Sequence, residues 1–315
     1  MTPDKSFDQF FKNGLDKILV SLEEKRKKIG RRGTIGYTLI GVAIFLFIIS
    51  AMGSGPVTVL AGFIIIIPGI IIGLDFQNRR EEFTAGFKEN VVSPIIKFID
   101  PGFQYQPGEC ISEKDYKNSG LYLTKAERYD GDDYIQGTRG KTFFCFSELH
   151  TEHQVSSGKS TRWETIFKGL FFIADFNKNF SGRTYVWSEE NPQLGLFSTL
   201  FSSVAAGLEK VKLESIDFEN RFIVYSTDQV EARYILTPSF MERLVKLEKM
   251  MGAGISFSFV RTNIYVALPV ESDLFEPSIF YPNEYGRVKT YYDTIYTIFD
   301  IIDELQLNQR LWSKE

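Results

Sequence analysis

The 315-residue chain has only two cysteines and two histidines. So small a stock excludes a disulfide-stapled scaffold or a cysteine-rich metal module. Cys110 and Cys145 therefore read as free thiols. Charge of either sign is absent between Arg32 and Asp75, and with it the ionisable groups that mark an ion or proton path through lipid. An excess of basic residues is also lacking. The net charge is −4 although residues 1–33 alone carry 9 basic and 5 acidic side chains, so the remainder is more acidic still. Such a chain suits neither nucleic acid nor other polyanions.

The uncharged stretch contains two apolar runs, Ile35–Ala51 of 17 residues and Val57–Leu74 of 18, joined by Met52–Pro56. As helices rising about 1.5 Å per residue, both approach the roughly 30 Å hydrocarbon thickness of a bilayer. They predict a transmembrane helical hairpin over residues 35–74, with a soluble buried hairpin as the alternative. Pro68 predicts a kink and, with Gly69, permits a re-entrant wedge. Gly36, Gly41, Gly62, Gly69 and Gly73 offer points of close helix approach. Lys25–Lys28, Arg31 and Arg32 precede the first run, and Arg79 and Arg80 follow the second, so both termini are expected in the cytoplasm.

Residues 1–34 read as an amphipathic helix with a basic end. Phe7, Phe11, Leu15, Ile18, Leu22 and Ile29 recur at helical spacing. Asp4, Asp8 and Asp16 oppose lipid adsorption, so the apolar face is expected to pack on the helix after the hairpin. Residues 75–102 form a juxtamembrane stalk with Phe83, Phe87, Val91, Ile95 and Phe98 as its stripe; Pro94 bends or splits it, and Asp100–Gly102 ends it. Self-association through these helices is compatible with the pattern.

Residues 103–315 suffice for one cytoplasmic domain with its own core. Short aromatic and β-branched runs predict strands over Lys141–Phe146, Thr165–Asp175, Arg183–Trp187, Lys210–Ser215, Arg221–Ser226, Glu231–Leu236, Ile255–Phe259 and Asn263–Leu268. Ser226–Gln229 and Arg261–Asn263 read as hairpin connections, which are too short for parallel crossovers. One helix opens at Thr237–Pro238 and closes at Gly252; a second spans Gly286–Leu305. The expected fold is α+β: an amphipathic helix and a two-helix membrane hairpin, then an antiparallel sheet covered by helices.

Candidate chemistry is sparse. His150 and His153 would turn toward one metal only as a helical HxxH, and they lack a clear third ligand, so solvated loop or strand-end positions are the simpler reading. A Cys145–His150 nucleophile pair is disfavoured by the hydrophobic setting TFFCF. Asp175, Asn177, Lys178 and Asn179 before Gly182–Arg183 read first as a polar turn and second as a ligand site. Asp132–Asp133 reads as a solvated turn, and Gly252–Ala253–Gly254 as a helix terminator rather than a phosphate loop. No catalytic, metal or cofactor-binding residue is assigned, and no cofactor is expected. Aromatics such as Phe143, Phe144, Phe167, Phe171, Phe172, Tyr185 and Trp187 are expected mainly in the core, with some left over to line a peptide or lipid groove.

The hairpin, FKGLFFIADFNKNFSGRTYV at residues 167–186 and EARYILTPSFMERLVKL at 231–247 together resemble a bacterial membrane-anchored family catalogued as domain of unknown function 3137. The resemblance extends over nearly the whole chain and implies a bacterial inner-membrane protein, but it brings no reaction or active site. The expected function is a membrane-anchored cytoplasmic interaction or scaffold protein. The alternatives are a membrane-associated enzyme acting on a lipid or small molecule, and an accessory subunit of a membrane transport complex. Expected partners are the lipid bilayer, a membrane or cytoplasmic protein, and a second copy of the chain.

Overall fold

The computed structural model describes residues 3–158, 160–176, 179–189, 207–251 and 254–304. They form two compact units, residues 1–99 with 275–293, and residues 100–274 with the segment from Thr294 onward.

The first unit is helical. It comprises α1 (Pro3–Phe10), α2 (Asp16–Ile49), α3 (Pro56–Phe87) and α4 (Ser93–Ile99). Wider π-helical turns join them at Phe11–Leu15, Ser50–Ser54 and Lys88–Val92. The hairpin turn requires glycine: Gly53 and Gly55 hold φ of 104° and 86°, and Pro56 starts α3 where its missing N–H costs nothing. Pro94 lies just inside α4, next to the π-helical turn Lys88–Val92, and helical backbone continues through both. Pro68 lies inside α3, which is helical on both sides of it.

Close approach of α2 and α3 uses three of the five glycines read for it. Gly36 faces Gly73 and Gly69, Gly69 faces Leu39 and Ile40, and Gly62 faces the Phe47 ring. Gly41 has open space, and Gly73 would meet only the tip of Ile40. At the end of the apolar runs, Asp75 holds Arg32 at 2.5 Å and Arg79 at 2.9 Å.

The amphipathic segment packs on protein. Phe7 of the expected stripe lies 6.5 Å from Phe98 of α4, and Phe10, outside that stripe, stacks on the same ring at 4.2 Å. Its other partners come from the far end of the chain, in helix α9 (Tyr285–Glu304): Phe7 stacks on Tyr292 at 4.4 Å, and Phe11 meets Tyr285 edge-on at 4.9 Å. Buried Arg26 pairs with Glu23 at 2.6 Å and donates to the Ile279 carbonyl at 2.7 Å. Lys88, also buried, pairs with Glu276 at 3.1 Å.

Among the described residues the second unit is built on a nine-stranded, wholly antiparallel sheet in the order β1-β2-β3-β4-β9-β8-β5-β7-β6. Its strands are β1 (Gln104–Gln106), β2 (Arg128–Arg139), β3 (Thr142–Ser157), β4 (Ser160–Asp175), β5 (Arg183–Ser188), β6 (Glu209–Lys210), β7 (Phe222–Ser226), β8 (Ser256–Val260) and β9 (Asn263–Pro269). Helices α5 (Glu113–Asn118), α6 (Ile216–Glu219), α7 (Gln229–Ile235) and α8 (Pro238–Met251) join them, giving the α+β class expected.

Register sorts the core into two faces. Phe146, Phe172, Val266, Phe257, Val186 and Val224 form one cross-strand row. On this face Phe240 of α8 packs edge-on against Phe259, and Phe299 of α9 against Phe144. The opposite row runs Tyr225, Tyr185, Ser258, Tyr265, Ile173, Cys145. Here Tyr185 stacks on Trp187 at 5.2 Å, and Tyr116 of α5 packs on Phe171.

Several sequence expectations in this unit fail. Glu231–Leu236 is helical, because the Asp228 carboxylate accepts the Val230 and Glu231 amides at 2.9 Å and nucleates α7; Ser226–Gln229 is accordingly no hairpin. Only Lys210 of Lys210–Ser215 is in a strand. Asp132–Asp133 is not a solvated turn: it lies at a β2 bulge, with Asp133 buried at φ 58° and accepting the Tyr105 hydroxyl. Gly252 and Ala253 lie outside the described residues.

Candidate functional site

The polar groups singled out in the sequence do not converge. Asp175 pairs in register with Asn263, Asn263 with Val260, and Val260 with Arg183. Three interstrand steps of roughly 4.8 Å put Asp175 and Arg183 about 14 Å apart. His150 sits opposite Lys168, seven residues along β4 from Asp175, or about 23 Å at 3.3 Å per residue. Asn177 and Lys178 lie outside the described residues.

The histidines are neither helical nor at a strand end. Both lie within β3, where residues three apart face opposite sides. His150 Nε2 is 3.4 Å from Thr165 Oγ1, and His153 Nε2 is 3.8 Å from Glu164. Among the described residues no cluster of three His, Cys, Asp or Glu side chains could hold a metal.

Cys145 is buried and Cys110 half-buried. Burial pushes the Cys145 thiol up to about 11, and Cys110 is raised by burial and then by Glu109, Asp132 and Asp130. Neither is an activated nucleophile. The tyrosine face is likewise structural: Tyr116 and Thr151 hydroxyls pair at 3.1 Å, Tyr129 donates to the Ile111 carbonyl at 2.7 Å, and burial raises both phenols.

Two surfaces remain that sequence reasoning did not locate. The first is a carboxylate clasp, in which Glu231 accepts Ser181 N at 3.1 Å and Gly182 N at 2.8 Å, tying the turn before β5 to α7. The strand pattern of Glu231–Leu236 hides it from the sequence; Asp228-x-x-Glu231 is the signal that points to it. The second is the far part of the β3–β4 hairpin. The β4–β9 register begins at Gly169, with Val270 N donating to the Lys168 carbonyl at 3.1 Å just beyond it, and β3 pairs with β2 only as far as Glu152. Thr161–Thr165 thus present a stretch of strand edge with no sheet neighbour on its outer side among the described residues. Thr161, Arg162, Trp163 and Thr165 are exposed there, and the Arg128 guanidinium lies 3.7 Å over the Trp163 ring. An open edge of this kind can accept a further strand.

In the helical unit, two helices are long and apolar enough to cross a membrane, and in each the most apolar 18-residue window is only 11% buried. Phe45, Leu60, Ile64 and Ile71 are each at least 60% exposed. That surface does not fit the core of a soluble hairpin.

Residues 165–307 match a family described as protein of unknown function, DUF3137. The match includes both segments that carried the resemblance and excludes the apolar hairpin. No curated protein matches the sequence. Among solved structures, the crystal structure of the mycobacterial trehalose monomycolate transport factor A, TtfA, is similar at 12% identity and a TM-score of 0.33, covering 65% of this chain and 90% of that one. At that score the likeness carries no argument about fold or role.

Proposed function

We propose that this chain is a membrane-anchored interaction protein, held in a bacterial inner membrane by α2 and α3 with both termini in the cytoplasm. The observation that carries the anchoring is the apolar surface left exposed along residues 35–74. Water would penalise that surface at roughly 25 cal/mol per Å², whereas lipid covers it. Orientation follows from the eight basic residues flanking the runs and the uncharged connection between them.

The open β4 edge supports interaction rather than turnover. Main-chain pairing gives affinity there, and Trp163 supplies an aromatic anchor. The separation of Asp175, Arg183 and His150 favours this reading over an enzyme built from them. The test is affinity capture of the full-length protein from native membranes in mild detergent, read by mass spectrometry. A stoichiometric protein partner is expected with wild type and lost with Trp163→Lys combined with Thr165→Lys, which charge the edge. Recovery of the chain alone, or a partner retained equally by the double variant, would overturn the assignment.

A further inference from the structure

The segment that leads into α9 belongs to the helical unit, and its turn carries two exposed rings, Phe280 at 53% and Tyr281 at 70%. Side chains on both arms hold the turn. Buried Asn283 accepts Ser278 N at 2.8 Å and donates to the Ser278 carbonyl at 2.9 Å, while Ser278 Oγ accepts Tyr281 N at 2.9 Å. Helix α2 seats it: the Arg26 guanidinium donates to the Ile279 carbonyl at 2.7 Å, and a Cβ on Gly30 would come within 3.0 Å of that oxygen. A turn fixed at this many points presents its rings in one place, outside the core.

Their level along the hairpin indicates what covers them. The Phe76 ring fills the space beside Gly33 and meets Tyr37 edge-on at 5.7 Å. Gly33, Tyr37 and Phe76 each lie two residues from Ile35 or Leu74, about 3 Å at 1.5 Å per residue, so that ring sits level with the end of the apolar runs. The Phe280 ring is 6.0 Å from it. Phe280 is therefore at the depth of the headgroup layer, which extends roughly 5–8 Å beyond the hydrocarbon. The Ile279 carbonyl behind it is level with Gly30, five residues or about 8 Å before Ile35, at the outer margin of that layer. Exposed Tyr37 and Ile35 continue the patch into the surface along the apolar runs. Aromatic rings favour this zone, and backbone placed there needs partners of its own, which the Ser278–Asn283 pairing supplies.

We infer that Phe280 and Tyr281 insert into the headgroup region of the inner leaflet, a membrane contact made by the C-terminal part of the chain in addition to the hairpin. The inference rests on the membrane anchoring proposed above. An anchored turn holds the start of α9 at a set height over the bilayer.

The test uses full-length Phe280→Trp, Tyr281→Trp and Ile64→Trp proteins in phosphatidylglycerol vesicles that contain phosphatidylcholine brominated either near the headgroup end of its acyl chains or near their methyl ends. Tryptophan emission is read, and wild type, with three tryptophans of its own, gives the background. The added tryptophans at 280 and 281 are each expected to be quenched about twofold or more strongly by the shallow bromines than by the deep ones. Ile64→Trp, ten residues inside the second run, is expected to show the reverse order. Quenching at 64 with none at 280 and 281 removes this inference alone and leaves the two rings to a protein partner. Absence of quenching at all three positions removes the anchoring as well. Deep bromines quenching 280 and 281 as strongly as 64 would overturn the interfacial placement.

Discussion

Asp228 and Glu231 stand at the spacing from which a helix can begin, and their carboxylates do two different tasks. Asp228 caps α7, and Glu231 closes the Ser181–Gly182 turn. Asp228→Ala should cost about 1 kcal/mol, the usual value of an N-cap, measured as a shift in the urea midpoint. Glu231→Gln should weaken the clasp by a similar amount, because an amide keeps one acceptor and loses the charge. Cys145 illustrates the opposite case of a group kept silent by burial. Native protein at pH 8 should leave it unmodified by iodoacetamide while denatured protein reacts fully; rapid native labelling would contradict the burial. The linked stability has a definite sign. With the folded thiol raised to about 11, its contribution is present below the ordinary thiol range and lost as pH rises through that range toward 11.

Helices α2 and α3 depend on glycine where their backbones meet. Gly69→Leu would drive a side chain into Leu39 and Ile40, whereas Gly41→Leu adds one where nothing lies within 4 Å. Thermal unfolding in detergent should therefore show a lower midpoint for the first and little change for the second. Equal effects would mean that α2 and α3 do not pack along this seam. Periodicity found these helices and their stripes, because 3.6-residue repeats and uncharged runs are local properties. It also found most strands. It failed at Glu231–Leu236, where apolar and polar residues alternate as in a strand but Asp228 supplies a cap, and at β2, where glycine and acidic residues hide a strand held by its neighbours.

Taken as a membrane protein, the chain makes a topological prediction. Met52 sits in the uncharged connection and is 83% exposed, so Met52→Cys should react with a membrane-impermeant maleimide from the outer side of intact spheroplasts. Protection of that cysteine until lysis would exclude the proposed orientation or favour a re-entrant hairpin. The buried Lys88–Glu276 pair joins residues 188 positions apart within the helical unit. Glu276→Ala should destabilise that unit, by less than the roughly 3–5 kcal/mol of a fully buried pair because Glu276 retains solvent contact.

Hydrophobic length, charge flanking and helical period lie within short windows of chain, and from them alone came the apolar hairpin, the amphipathic first segment, the α+β class and the resemblance to DUF3137. Contacts between distant windows followed no such rule. Tyr285 and Tyr292 covering Phe7 and Phe11, Glu276 meeting Lys88, the two faces of the sheet and the start of the β4–β9 pairing at Gly169 all depend on which segments become neighbours. The same holds for the candidate sites. Asp175, Arg183 and His150 are chemically suited to a common centre, and strand order keeps them apart; Tyr37, Phe76 and Phe280 belong to three separate segments, and packing of those segments brings their rings together.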